Sequence, residues 1–439
     1  MPETVSVVGF QQESFDAFLQ TRDEPGWVTD QRRAAWDIFE SQEWPRRNEE
    51  EWIRTDIRLF KPDKFSPPGL GAVDTPAELP VGALAEGVEL AGQTVSCNGK
   101  LAVSELSQKW RDRGVLFGGA DELVREHADL LRPYLMARAY NVGYDRFAAL
   151  HAAYWSGGAV LYVPRGVALN EPLHSLALLG EGGADFSHLL VILEDGAEAT
   201  LMTETASLPG ANTGLHCGAI ELYVAPNARL RFVSLQDWAK GVWHFAHQKA
   251  IVDRDASLQW TLSALGSRLS KVNQHVALVG PGAESQVNGT MFTEGRQHLS
   301  YHTLQHHQAP NCRSDFLYKA ALQDESRTVW RGMIKVDPKA QKTDGYQRND
   351  NLILSSTARA DSIPGLEIEA DDVRCTHGST SGRVDEELIF YAQCRGFTRK
   401  EAVRMIVTGF FQQIFDRITI ESVREALGRA IARQVREYE

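Results

Sequence analysis

From Gly158 onward the chain alternates apolar and polar residues in short runs separated by turn residues, and the pattern continues for more than 200 residues without a helical stretch. Four segments share one plan: "HLLVILEDGAEATLM", "AIELYVAPNARLRFVSLQ", "KAIVDRDASLQWTLSAL" and "HVALVGPGAESQVNGTMF" each give an apolar strand, a turn ending in alanine, and a second strand. The alanines are Ala197, Ala228, Ala256 and Ala283, spaced 31, 28 and 27 residues apart. A unit of that length cannot bury its own apolar face and must stack on its neighbours, which is the signature of a solenoid. A small residue after a tight turn suits a stacked corner. Further coils are expected through "RTVWRGMIKVDPKAQKTDGYQRNDNLILSSTARADSIPGLEIEADDV", with turns at Pro338 and Ala358. The predicted class is mainly β, a parallel β-helix core over residues 156–380. An antiparallel sandwich is the competitor, because strand count alone does not separate the two.

The flanks follow a different period. Phe15, Phe18 and Leu19, then Ala35, Trp36, Ile38 and Phe39, recur at the three-to-four spacing of a helix face, punctuated by Pro25 and Pro45. "LAEGVELAGQTVSCNGKLAV" alternates like short strands, and "DELVREHADLLRPYLMARAYNVGYDRFAALHAAYW" returns to helical spacing with Asp121 as the expected N-cap. Residues 1–155 are therefore predicted to be a mainly helical region. Residues 381–439 read as three helices, with Gly396 as a stop and Thr398 with Glu401 as a capping box. Val403, Ile406, Val407, Phe410, Phe411, Ile414 and Phe415 form a wide apolar face, more than a short tail needs for itself.

Charge narrows the partners. The 439 residues carry a formal charge of −12, and no run of Lys and Arg is longer than a pair, which argues against nucleic acid or an anionic membrane as ligand. The start of the chain has neither a basic segment nor an apolar one of leader type, and no uncharged apolar run reaches the roughly 18 residues of a membrane span, so a cytoplasmic protein is expected. Five cysteines without C-x-x-C spacing predict neither a disulfide framework nor a local zinc or iron-sulfur site. Any metal or sulfur site must be completed by distant residues or by another chain. Phosphate-loop, G-x-S-x-G, H-E-x-x-H and kinase motifs are all missing from the sequence.

Two places carry candidate chemistry. In "LEIEADDVRCTH", Leu366, Ile368 and Ala370 share one parity and Val373, Cys375 and His377 the other, so a turn or bulge is expected at Asp371–Asp372. Beyond it Cys375 and His377 face the same way. The plain interpretation is a buried thiol beside a satisfied histidine. The sharper one is a soft ligand pair for iron or sulfide, although two ligands do not complete a site. The second place is "TEGRQHLSYHTLQHHQAPNC", where His298, His302 and His306 would share a strand face with His307 beside them. About 13 Å separates every fourth residue of a strand, too far for one ion, so these are expected to be structural or interface histidines.

Around the first place, "ADDVRCTHGSTSGRVDEELIFYAQCRGF" resembles the SufB/SufD family of iron-sulfur cluster assembly proteins, on its SufD side. The resemblance continues in order through "EEEWIRTDIRLF", "LYVPRGVALNEPLH", "HHQAPNCRSDFLYKAAL" and "KTDGYQRNDNLILSSTARADSIPGLEIEADDV", nearly the whole length. It implies a right-handed parallel β-helix between helical regions, and a non-catalytic scaffold subunit. The implied partners are a SufB-like homologue, met through the C-terminal end of the two β-helices, and a SufC-like ABC ATPase on the C-terminal helical domain. That ATPase would supply the missing phosphate loop. The resemblance places His377, with Cys375, at the cluster-assembly interface, His377 as the metal ligand or proton-handling group. It places partner docking around Arg395, Gly396, Phe397, Phe410 and Phe411. It implies no intrinsic cofactor, only a transient iron-sulfur cluster or its precursors between the two subunits. SufB-like chains carry a scaffold cysteine where this one has Ala358, and an H-E-A-T-like motif where it has His377-Gly378-Ser379-Thr380. Two other functions fit parts of the sequence: a carbohydrate-active β-helix enzyme, and a metal-dependent oxidoreductase built on the histidines between 298 and 307.

Overall fold

The computed structural model describes residues 8–71, 78–418 and 420–434. The first seven residues, on which part of the expectation of no leader segment rests, lie outside them. The core is a parallel β-solenoid with two long faces. One sheet runs, in spatial order, through Lys100–Leu106, Gly92–Cys97, Leu173–Leu179, Glu198–Ser207, Arg229–Asp237, Ser257–Ala264, Glu284–Thr293, Arg313–Leu322, Thr343–Ile353 and Val373–Arg383. The other runs from Leu116–Gly119 through Gly158–Val163, His188–Leu193, Thr213–Val224, Gly241–Val252, Leu269–Leu278, His298–His307 and Arg327–Val336 to Arg359–Ile368. From His188–Leu193 onward successive strands of the chain alternate between the sheets, so each coil stacks on the last. The stacking is in register: Leu201, Phe232, Trp260, Val287 and Phe316 line up one above another, all fully buried. Such apolar columns bury each coil's face against the next and hold the solenoid together.

The corners explain the alanine repeat. Gly196, Asn227, Asp255 and Gly282 adopt left-handed backbone, with φ between 56° and 74°, a region open to glycine and tolerated by Asn and Asp. The alanine that follows each is buried. The same device continues at Asn311–Cys312 and Lys342–Thr343, where the small buried residue is no longer alanine and the sequence repeat goes silent. Turns also fall at Pro338 and Ala358, as expected.

The two ends of the solenoid differ. At the N-terminal end, Lys100–Leu106 pairs antiparallel on Gly92–Cys97 and Leu116–Gly119 antiparallel on Gly158–Val163, closing the stack. Trp110, Val115 and Phe117 plug it. Helices Gln12–Gln20, Gly26–Ser41 and Arg146–Tyr154 lay an aromatic layer on the second sheet, with Phe147 stacked on Phe245 at 3.7 Å between ring centroids. The long helical stretch expected from 121 to 155 is instead broken into Ala120–Glu126, Ala128–Leu131 and Arg146–Tyr154, with Pro133 and Gly143 in the interruption. Asp121 is not the N-cap, which is Gly119; its carboxylate accepts the Gly157 N–H at 2.7 Å and ties the helix to the first coil. Asp145 is the working cap of this region, accepting from the Ala148 N–H.

At the other end the chain leaves the solenoid through helices Glu386–Gln393, Arg399–Phe415 and Glu421–Gln434. The Thr398–Glu401 capping box is formed, and Gly396 stops the first helix with φ of 91°. The wide apolar face of Arg399–Phe415 is used by this chain itself. Val403, Val407, Phe411 and Phe415 pack with Val233, Leu235, Phe292 and Ala321 on the outer surface of the first sheet. Each such buried side chain contributes roughly 1.5–3 kcal/mol. Amphipathicity showed that the helix needed a partner; that the partner is the preceding solenoid was not visible in it.

Candidate functional site: the open end of the solenoid

Among the described residues, Val373–Arg383 pairs with Thr343–Ile353 on one side, and Arg359–Ile368 with Arg327–Val336 on one side; their other edges are bare. Among the described residues this end has no counterpart of the antiparallel strands that close the other. Leu366 and Ile368 remain 38% and 39% exposed here, which an ordinary coil would bury. The loop 369–372 reverses the parity between the two strands, as the sequence pattern required.

On the last strand Cys375 and His377 share a parity and sit over the end of the lumen. Cys375 lies in register above Gly345 and His377 above Gln347. The missing side chain at Gly345 leaves room for Sγ, which would stand 3.3 Å from a Cβ there, while Val373 and Cys375 pack on Ile334, Val336, Ala340 and Ala370. Burial pushes the Cys375 thiol up, against a partial offset from the backbone at Gly345. It therefore stays a thiol until something accepts its proton. His377 is exposed. Below it Gln347 is fully buried and crosses the lumen, donating from Nε2 to the Gly365 carbonyl at 3.0 Å. Beside it Asn351 holds the last strand from inside, donating to Ser381 Oγ and to the Thr380 carbonyl. The end of the lumen is thus a firm polar floor carrying a half-buried thiol and an exposed imidazole.

The residues expected at the docking surface divide in two. Phe397 is 42% exposed; Arg395 is exposed with its guanidinium stacked on Tyr391. Gly396 lies between them. Phe411 is fully buried in the core between helix and sheet, and Phe410 is partly buried on the same cluster. Sequence reasoning missed the larger exposed surface on the preceding helix, where Leu388, Phe390 and Tyr391 are all more than half exposed and Met405 lies on the next helix. The signal for it was the unbroken run Leu388-Ile389-Phe390-Tyr391, of which one member suffices for the core.

The four histidines of 298–307 do not converge. His302 accepts from buried Lys271 at 2.9 Å, His306 binds Asp337 at 2.8 Å, and His307 faces inward to Ser314 at 2.8 Å. Among the described residues no three His, Cys, Asp or Glu side chains are arranged to hold a metal ion. The buried imidazoles instead pair with one another, helix to coil and coil to coil, a contact invisible to linear spacing. His151 bonds His188, which bonds Glu221, each at 3.0 Å, and His216 meets His244 at 2.7 Å. The second pair lines a lumenal cavity of about 90 Å³ with Ser175, Thr203 and Gln236.

Among the described residues no helix is long and apolar enough to cross a membrane. The family model described as "SUF system FeS cluster assembly, SufBD core domain" matches residues 177–410, and "SufBD protein N-terminal region" matches residues 17–174. An iron-sulfur cluster assembly SufBD family protein of Staphylococcus epidermidis is 26% identical over 408 residues, covering 91% of this chain and 88% of that one. One from Mycobacterium leprae is 33% identical over 301 residues, covering 66% of this chain and 75% of the other. A solenoid with one closed and one open end, flanked by helices, is the frame these matches span. The chain belongs to the SufBD family of iron-sulfur cluster assembly proteins.

Proposed function

We propose that this chain is the SufD-type scaffold subunit of a cytoplasmic iron-sulfur assembly complex, without catalytic activity of its own. The observation that carries this is the open end, where bare strand edges and exposed Leu366 and Ile368 surround Cys375 and His377. An unpaired sheet edge with apolar side chains calls for a partner, and a SufB-like homologue ending in the same way fits it. The incomplete ligand set points the same way: a thiol and an imidazole here need further ligands from across the interface to bind iron or a nascent cluster, the cargo of the complex. Neutral imidazole at His377 binds a borderline metal or relays a proton, and Cys375 adds a soft ligand once its proton is taken. The exposed surface of Leu388, Phe390, Tyr391, Phe397 and Met405, with Arg395 at its edge, is the docking face for a SufC-like ATPase. Phe411 and Phe410 fix the helix that carries Met405 onto the solenoid.

The test is assembly of a complex with SufB-like and SufC-like proteins, followed by reconstitution with iron and sulfide. His377→Ala is expected to leave the mass of the complex unchanged while lowering bound iron by about ten-fold or more, the scale of losing a metal-site interaction. Phe390→Asp with Tyr391→Asp is expected to release the ATPase alone. Full iron loading by His377→Ala would overturn the assignment of the site.

A further inference from the structure

Three residues on the outer surface of the first sheet stand in register on neighbouring strands: Lys319 beside Asp350, and Asp350 beside Thr380. They are joined as well as aligned. Lys319 Nζ lies 3.7 Å from Asp350 Oδ2, and Thr380 Oγ1 donates to Asp350 Oδ1 at 2.6 Å. At the other end Lys319 Nζ donates at 2.9 Å to the main-chain carbonyl of Phe410, in the middle of helix Arg399–Phe415, and lies 4.7 Å from the Phe410 ring. Arg348 Nε donates to the same Asp350 oxygen as Thr380, at 2.9 Å. The side chains of Lys319 and Asp350 are only 9% and 5% exposed.

A buried lysine and aspartate are costly features, and packing does not require them: the neighbouring outward positions under the helix are Leu317 and Ala321, which serve that purpose with apolar atoms. What the charged pair adds is a directed link from the helix to the last strand. Thr380 lies on the strand of Cys375 and His377, one edge of which is unpaired among the described residues. Asp350 is the shared node of a continuous chain of contacts that runs from the Phe410 carbonyl through Lys319 to Thr380.

We propose that Lys319, Asp350 and Thr380 are positioning residues that couple the C-terminal helical domain to the strand bearing Cys375 and His377, so that movement of the helices resets the open end. The proposal rests on the reading above, in which the helices take the ATPase and the open end takes the cluster. It adds a route between them, built from direct contacts at both ends.

The experiment uses the full chain carrying Cys394→Ser, which leaves half-buried Cys375 as the accessible thiol, since Cys97, Cys217 and Cys312 are buried. Hydrogen exchange of peptides covering 373–383 and 399–415, and the rate at which a maleimide labels Cys375, are measured for Lys319→Met, Thr380→Val and the double variant. Lys319→Met keeps the aliphatic stem. It is expected to speed exchange in 373–383, two strands away, by about ten-fold, the scale of losing a charged hydrogen bond. The double variant is expected to do little more than the larger single one, because both cut the same ladder. An unchanged 373–383 peptide in Lys319→Met, or strictly additive effects, would overturn the coupling whatever the partners do. In the assembled complex, nucleotide is expected to change Cys375 labelling in the parent chain and not in Lys319→Met; equal responses would also overturn it. Failure of the complex to form would sink the scaffold reading and leave the exchange result on the free chain standing.

Discussion

The two ends of the solenoid meet the same physical problem and answer it differently. Any β-stack ends in a row of unpaired amides above an apolar lumen. At the N-terminal end the chain adds antiparallel strands and drives Trp110 and Phe117 into the opening. At the C-terminal end no strand is added among the described residues, Leu366 and Ile368 stay in contact with solvent, and a thiol and an imidazole stand there. The chain closes one end with its own residues and leaves the other open, which is where we propose that a second chain binds. The hydrophobic side chains of the closed end are buried within the chain; Leu366 and Ile368 at the open end are not, and the proposed interface would cover them.

That contrast has measurable consequences. The largest is at the closed end, where Trp110→Ala is expected to cost about 3–5 kcal/mol through cavity formation, read as a lower urea midpoint of the chain alone. Next comes the body between the ends, where histidines are enclosed. Desolvation holds His275 down to about 3, His298 to about 4 and His307 to about 4. A base whose pKa is depressed in the fold refuses a proton that the unfolded chain takes. The contribution of these histidines is therefore constant above about pH 6.5, and below it they destabilise the fold by about 1.4 kcal/mol per pH unit for each one that stays neutral. Urea midpoints at pH 7, 5.5 and 4.5 should show that slope, reduced in His298→Gln. A flat profile would contradict the enclosure of these side chains. The smallest effect belongs to the open end: Leu366→Asp and Ile368→Asp should change the stability of the isolated chain by no more than about 0.5 kcal/mol each, as surface changes do.

Much of this was legible in the sequence, and the exceptions have physical reasons. The repeat of Ala197, Ala228, Ala256 and Ala283 reveals the corners because a stacked corner excludes large side chains; Cys312 and Thr343 meet the same demand and carry no repeat in letters. Strand parity alone placed Cys375 with His377 and made the reversal at Asp371–Asp372 necessary. Asp121 misleads because an acidic residue in a first turn resembles a cap while its oxygen serves Gly157. The face of Arg399–Phe415 reads as more apolar than a short tail needs, because amphipathicity reports that a partner exists and not which one; Val403, Val407, Phe411 and Phe415 use it against the sheet carrying Leu235 and Phe292. Asp350 went unnoticed because its contacts, Lys319 and Thr380, come from neighbouring coils and share no local motif with it.

The central claim is that the open end is an interface, and its most direct test is mass. The chain co-purified with a SufB-like protein is measured by light scattering beside the Leu366→Asp, Ile368→Asp double variant. A heteromer for the parent chain and a folded, unassociated chain for the variant is the predicted result. A variant that keeps the full mass of the complex would show that the two chains meet elsewhere.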